Sequence, residues 1–115
     1  MKKSTTTDTI PALTKNAATV LEKRYLRRDE NGKVLETPAD MFRRVADTIA
    51  AADKKFDKKA DVKNLSDTFY SMMTNFEFLP NSPTLMNAGR PLGQLSACFV
   101  LPIGDSMEVI FYAVK

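Results

Sequence analysis

The sequence predicts an α+β chain, with helices through residues 14–78 followed by a shaped loop and one buried strand within 79–115. Three observations lead there. Val62, Leu65, Phe69, Met72, Met73 and Phe76 recur at steps of three and four, the period of one helix face. Residues 81–94 hold two prolines, two glycines and two asparagines, a turn-rich composition. Residues 95–101 form a short apolar run around Cys98, the chain's one cysteine, and such a run suggests a strand buried on both faces. A loop entering a buried strand is a common way for α/β enzymes to hold ligands.

Residues 1–13 are Ser/Thr-rich and lack periodicity, which predicts a disordered tail. Order is expected from Thr14. Ala17, Val20, Leu21 and Tyr25 then follow at helical spacing, and Asn31-Gly32 favours positive φ at both central positions of a tight hairpin or helix terminator. Thr37-Pro38-Ala39-Asp40 is a helix start. Thr37 serves as N-cap, Pro38 sits where its missing donor is harmless, and Asp40 lies near the positive end of the dipole. The helix that follows is expected to bury Met41, Phe42, Val45, Ala46 and Ile49, and a second is expected over 61–76. Beyond the strand, Asp105-Ser106-Met107-Glu108 reads as a capping box opening one more helix. There is no internal repeat.

Composition narrows the class. The chain is 43% hydrophobic and 27% charged, without an apolar run approaching the roughly 18 residues that span a bilayer, so the expectation is a cytoplasmic protein with no membrane partner. The first ten residues carry two lysines but no apolar core of signal-peptide length. One cysteine excludes an intrachain disulfide framework, and with no histidine it argues against a structural zinc site. Charge is uneven: residues 1–60 carry 14 Lys/Arg against 9 Asp/Glu, residues 61–115 carry 3 against 5. The basic residues pair up as Lys23-Arg24, Arg27-Arg28, Arg43-Arg44, Lys54-Lys55 and Lys58-Lys59. They read as solvated helix faces, with contact to nucleotide phosphates or a partner subunit as the functional alternative. No basic stripe interleaved with aromatics points to nucleic acid.

Asn81-Ser82-Pro83-Thr84-Leu85-Met86-Asn87-Ala88-Gly89, followed by Gln94-Leu95-Ser96-Ala97-Cys98-Phe99, resembles the entry into the catalytic barrel of ribonucleotide reductases, most closely the adenosylcobalamin-dependent class II enzymes. Arg24-Tyr25-Leu26, Glu36-Thr37-Pro38, residues 41–46 and Phe78-Leu79-Pro80 resemble the same family, so the likeness runs from about residue 20 onward. It implies that residues 14–78 are the helical N-terminal domain of a large chain and that 79–115 begin a ten-stranded α/β barrel. The whole would then be an N-terminal fragment. Val109 and Tyr112 depart from the glycine and polar residue usual in the last helix. No ATP-cone regulatory domain is expected before residue 20.

The resemblance also implies a chemistry. The family reduces ribonucleotides to deoxyribonucleotides with a cysteine thiyl radical and two reducing thiols. Cys98 would be one of that redox pair, and Ser82, Thr84, Ala97 and Cys98 would contact the substrate, Ser82 ahead of Thr84. The ribonucleotide, the remainder of the reductase chain and a thioredoxin-type reductant are the implied partners, and adenosylcobalamin the implied cofactor, with no ligand residue for it in this sequence. Read from the residues alone, Cys98 could instead be a buried structural thiol. Ser82 and Thr84 could be turn formers whose hydroxyls cap nearby amides. A free-standing helical interaction module and one half of a split reductase are the alternative readings of the chain. This polypeptide alone is expected to be inactive, because one cysteine cannot be radical, reductant and resolving thiol together.

Overall fold

The computed structural model describes residues 11–115, so the expected tail at 1–13 lies mostly outside the described residues. Five α-helices follow in order: α1 (Lys15–Arg24), α2 (Pro38–Ala51), α3 (Val62–Thr74), α4 (Ser82–Asn87) and α5 (Met107–Ala113), with a 3₁₀ turn at Ala52–Lys55 extending α2. Local chemistry sets most of their starts. Thr14, Thr37, Asp61, Asn81 and Ser106 are the N-caps, and each side chain accepts a backbone N–H from the first turn. At Thr37 the cap is reciprocal, because the Asp40 carboxylate accepts from the Thr37 N–H at 2.8 Å. The capping box expected over 105–108 does not form: Ser106 is the N-cap, its Oγ accepts the Val109 N–H, and a valine at that position has no side-chain acceptor to return the bond.

α2 and α3 pack along their lengths, and α1, a hairpin and α4 close over one end. Met41, Phe42, Val45 and Ala46 from α2 meet Tyr70 and Met73 from α3, with Leu85 and Ala88 from α4 and Leu26 after α1. Ala50 is also fully buried, whereas Ile49, expected in the core, is half-buried at its edge. The face of α3 is turned from the expected one. Its buried residues are Ser66, Tyr70, Met73 and Thr74, while Leu65, Phe69 and Met72 are only half-buried. Two polar residues can occupy that face because each is satisfied: Ser66 donates to Asp47 at 2.5 Å, and the Thr74 hydroxyl donates to the Tyr70 carbonyl at 2.9 Å. The displaced apolar residues line an open groove of about 340 Å³, with Val45 and Ile49 on one wall, Phe69 and Met72 on the other, and Phe78 and Pro80 across its end.

Three expectations need correction. Residues 95–101 are not a strand: they are irregular, only Leu95 is half-buried, and Val100 is 99% exposed. A strand is a pairing rather than a property of one segment, and among the described residues the only bridge is Arg28 with Val34. Helix α3 ends at Thr74, so Phe76 is no part of its stripe and sits instead in the left-handed region at φ +57°. The hairpin turn carries positive φ only at Gly32 (φ +80°), not at Asn31, and Gly32 N–H and Asp29 N–H bond to Asp29 and Lys33 carbonyls. That is a type I turn closed by a glycine bulge, the three-residue form of hairpin. No helix among the described residues is long and apolar enough to cross a membrane.

Candidate functional site

Residues 81–98 do not form one open loop, because their first third is helical. Asn81 caps α4, and Ser82-Pro83 fill its opening positions, where the missing proline donor costs nothing. The chain after α4 turns back at Gly89 and Gly93, both at positive φ. It is then pinned to α4 by side chains. Asn81 Nδ2 donates to the Leu95 carbonyl at 3.0 Å, the Thr84 hydroxyl reaches the same carbonyl at 3.1 Å, and Asn87 Nδ2 donates to the Gln94 carbonyl at 2.9 Å. This clamp fixes the point from which Ser96, Ala97 and Cys98 emerge.

Beneath the clamp lies an ion pair that sequence reasoning missed. Arg44 of α2 holds Glu36 through Nε at 3.0 Å and Nη2 at 2.7 Å, and the side chains are 10% and 8% exposed. Arg44 also donates to the Ala88 carbonyl at 2.6 Å and the Leu85 carbonyl at 3.1 Å, occupying the free C-terminal carbonyls of α4. Glu36 in turn accepts the Arg27 N–H at 3.0 Å. The pair is thus fully hydrogen-bonded, the condition under which a buried ion pair is tolerated. Gly89 is held against it: a Cβ there would fall 2.9 Å from Thr48 Oγ1 and 3.2 Å from Arg44 Cγ. Arg90 follows, donating through Nη2 to the Tyr25 carbonyl at 3.4 Å, with its Nε buried and without a partner among the described residues. Burial, and next the charge of Arg44, disfavour its charged form relative to an exposed guanidinium.

Arg28 donates to the Gly32 and Glu22 carbonyls, and Arg43 bridges to Asp67 at 2.9 Å while lying 4.0 Å over the Tyr70 ring. Lys23, Arg24, Arg27, Arg28, Lys54, Lys55, Lys58 and Lys59 are exposed, as expected of solvated faces, whereas Arg43 and Arg44 are half-buried and act as structural ties. No spacing rule couples Glu36 to Arg44 across a loop and a helix start, so the pair left no sequence signal.

The four expected site residues separate into two groups. Ser82 is exposed, with Oγ 2.9 Å from the Tyr25 hydroxyl at the end of α1. Thr84 is buried at the edge of the groove, and its one hydroxyl proton lies between Asn81 Oδ1 at 2.5 Å and the Leu95 carbonyl at 3.1 Å, which gives it a clamping role. Ala97 and Cys98 are exposed in irregular chain, and Cys98 is a free thiol. Its expected burial in a rigid strand is not observed, since among the described residues no neighbouring strand pairs with it.

A family model described as ribonucleotide reductase, all-alpha domain, matches residues 12–93, which takes in α1 through α4 and the glycine turns behind them. The chain belongs to the ribonucleotide reductase family. Among curated relatives, a vitamin B12-dependent ribonucleoside-diphosphate reductase of Thermoplasma acidophilum is 36% identical over 157 aligned positions, covering 90% of this chain and 20% of that protein. A Mycobacterium tuberculosis protein of the same description is 45% identical over 95 positions, 83% of this chain and 14% of its own. A ribonucleoside-diphosphate reductase large subunit of Acanthamoeba polyphaga mimivirus is 42% identical over 90 positions, 78% of this chain and 9% of its own. The chain therefore spans a fifth or less of these reductases.

Proposed function

We propose that this chain is the N-terminal part of a class II ribonucleotide reductase, supplying the completed enzyme with a substrate-binding hydroxyl at Ser82 and a reducing thiol at Cys98. The B12-dependent names of two relatives support the class. Support for the site comes chiefly from one observation, the convergence of Asn81 and Thr84 on the Leu95 carbonyl, which holds the segment leading to Cys98 against the helix that carries Ser82. Residues 95–101 would become a strand once the barrel supplies its neighbours, and Ala97 and Cys98 would then lie beside the sugar. The overall exchange balances. The ribonucleotide loses its 2′-hydroxyl as water and gains a C–H bond, while two thiols, Cys98 and one outside this chain, give up two electrons and two hydrogens and become a disulfide. A dithiol of the thioredoxin type would reduce that disulfide for the next turnover.

Adenosylcobalamin has no fitting seat in the described residues. The apolar groove, about 340 Å³, is too small to enclose a corrin ring. The cofactor would be held by the remainder of the enzyme.

Cys98→Ser in the completed reductase tests the reading. Shape is preserved and the reducing thiol is lost, so nucleotide binding should persist while turnover with a dithiol falls by at least roughly three orders of magnitude, about 4 kcal/mol. Hydrogen exchange into the cofactor's 5′-carbon should continue, because the radical belongs to another cysteine. Near-normal turnover would reduce Cys98 to a packing residue.

A further inference from the structure

The hydroxyl of Tyr25 lies 2.9 Å from Ser82 Oγ, a contact between residues 57 apart in the chain. Tyr25 is the C-cap of α1, and its ring packs against the core formed by α2, α3 and α4. Its carbonyl also accepts from Arg90 on the far side of the glycine turn. One residue thus grips both arms of the loop, the start of α4 through its side chain and the return segment through its backbone. Core packing fixes the ring, and a fixed ring leaves the phenol oxygen one place to be.

We infer that Tyr25 is a positioning residue for nucleotide binding: it donates its phenol proton to Ser82 Oγ, orienting the serine hydroxyl so that its own proton points outward to an oxygen of the ribonucleotide. This rests on the reading of Ser82 as a substrate contact. The chemistry follows from the inventory of the two groups. A serine hydroxyl has one proton and two lone pairs, and a phenol donates more readily than an alcohol, so the pair is satisfied with Ser82 still holding a free donor. Ser82 is exposed, leaving that donor accessible. Without Tyr25 the hydroxyl would rotate among staggered positions and bind as a mixture of orientations. A serine held before the ligand arrives loses less freedom on binding, which is an effect on affinity and not on the chemical step.

The test is a double-mutant cycle in the completed reductase, with Tyr25→Phe, Ser82→Ala and both together. Phe keeps the ring and its packing, and thermal midpoints verify that the fold is retained. The expected result is a nucleotide KM raised about five- to tenfold by Tyr25→Phe with kcat unchanged, the scale of one neutral hydrogen bond. Tyr25→Phe should add nothing further in the Ser82→Ala background. An equal effect of Tyr25→Phe in both backgrounds, a loss confined to kcat, or an unchanged KM in Tyr25→Phe alone would overturn the role of Tyr25 while leaving Ser82 in place. An unchanged KM in Ser82→Ala would overturn both. Equilibrium binding of the nucleotide to the same variants, measured without turnover, must follow the KM changes.

Discussion

Gly89 is where backbone conformation and side-chain packing meet at the candidate site. Its φ of +74° is disfavoured for any residue with a Cβ, and the space a Cβ would need is taken by Thr48 Oγ1 at 2.9 Å and Arg44 Cγ at 3.2 Å. Gly32 provides the control, since at φ +80° it has nothing within 4 Å of a built Cβ. Gly32→Ala should therefore cost only the left-handed penalty, about 1–2 kcal/mol. Gly89→Ala should cost clearly more, because Thr48 Oγ1 must also move away and the Arg44 stem must give beside its pairing with Glu36, and separating a buried ion pair costs about 3–5 kcal/mol when complete. Chemical denaturation of the two variants measures the difference. Equal losses would mean that Arg44 adapts without leaving its partners.

The helix starts could be read from the sequence because caps are local chemistry. Thr37-Pro38-Ala39-Asp40 specifies α2 within four residues, and the structure adds that Asp40 is held below the usual carboxylate range, first by the Thr37 N–H and then by the Thr37 hydroxyl. A carboxylate whose folded pKa is lowered contributes stability that is fully present above its unfolded pKa and is lost as pH falls through the folded value. Thr37→Ala removes the hydroxyl half of the cap and should cost about 1 kcal/mol at neutral pH. Asp40→Asn should flatten the fall in thermal midpoint below about pH 4, where an ordinary aspartate protonates. A midpoint curve identical to that of the parent chain would show that the Asp40 carboxylate does not contribute to stability. What depends on distant partners was less legible. The stripe Leu65, Phe69, Met72 signalled a helix but not that Ser66 and Tyr70 would face α2, because that choice is made by Asp47 and Met41 across the interface. α4 carries no readable period because six residues are too few for one, although Asn81-Ser82-Pro83 holds a cap and a first-turn proline. Residues 95–101 have the composition of a strand and lack one, since composition cannot provide the neighbouring edge.

The distribution of apolar surface separates the chain into a packed part and a bare one. Residues 12–93 fold around one core, whereas Phe99, Val100, Leu101, Ile103, Met107, Phe111, Tyr112 and Val114 are all more than half exposed. The radius of gyration, 18.3 Å, exceeds the roughly 13 Å of a compact chain of this length, as expected if the last segment projects from the body. A self-sufficient interaction module would bury those side chains, and contiguous apolar surface left in water promotes association. The isolated chain is therefore expected to associate as concentration rises, with amides of α2 and α3 protected from hydrogen exchange and those of residues 95–114 exchanging rapidly. Deleting residues 98–115 should abolish association while retaining the helicity of α2 and α3, because no core residue is removed. Sedimentation and exchange on the two chains test this together. A monomer of the undeleted chain with a strongly protected α5 would mean that the C-terminal segment has found a home on this chain, with the groove between Ile49 and Phe69 an apolar seat for it.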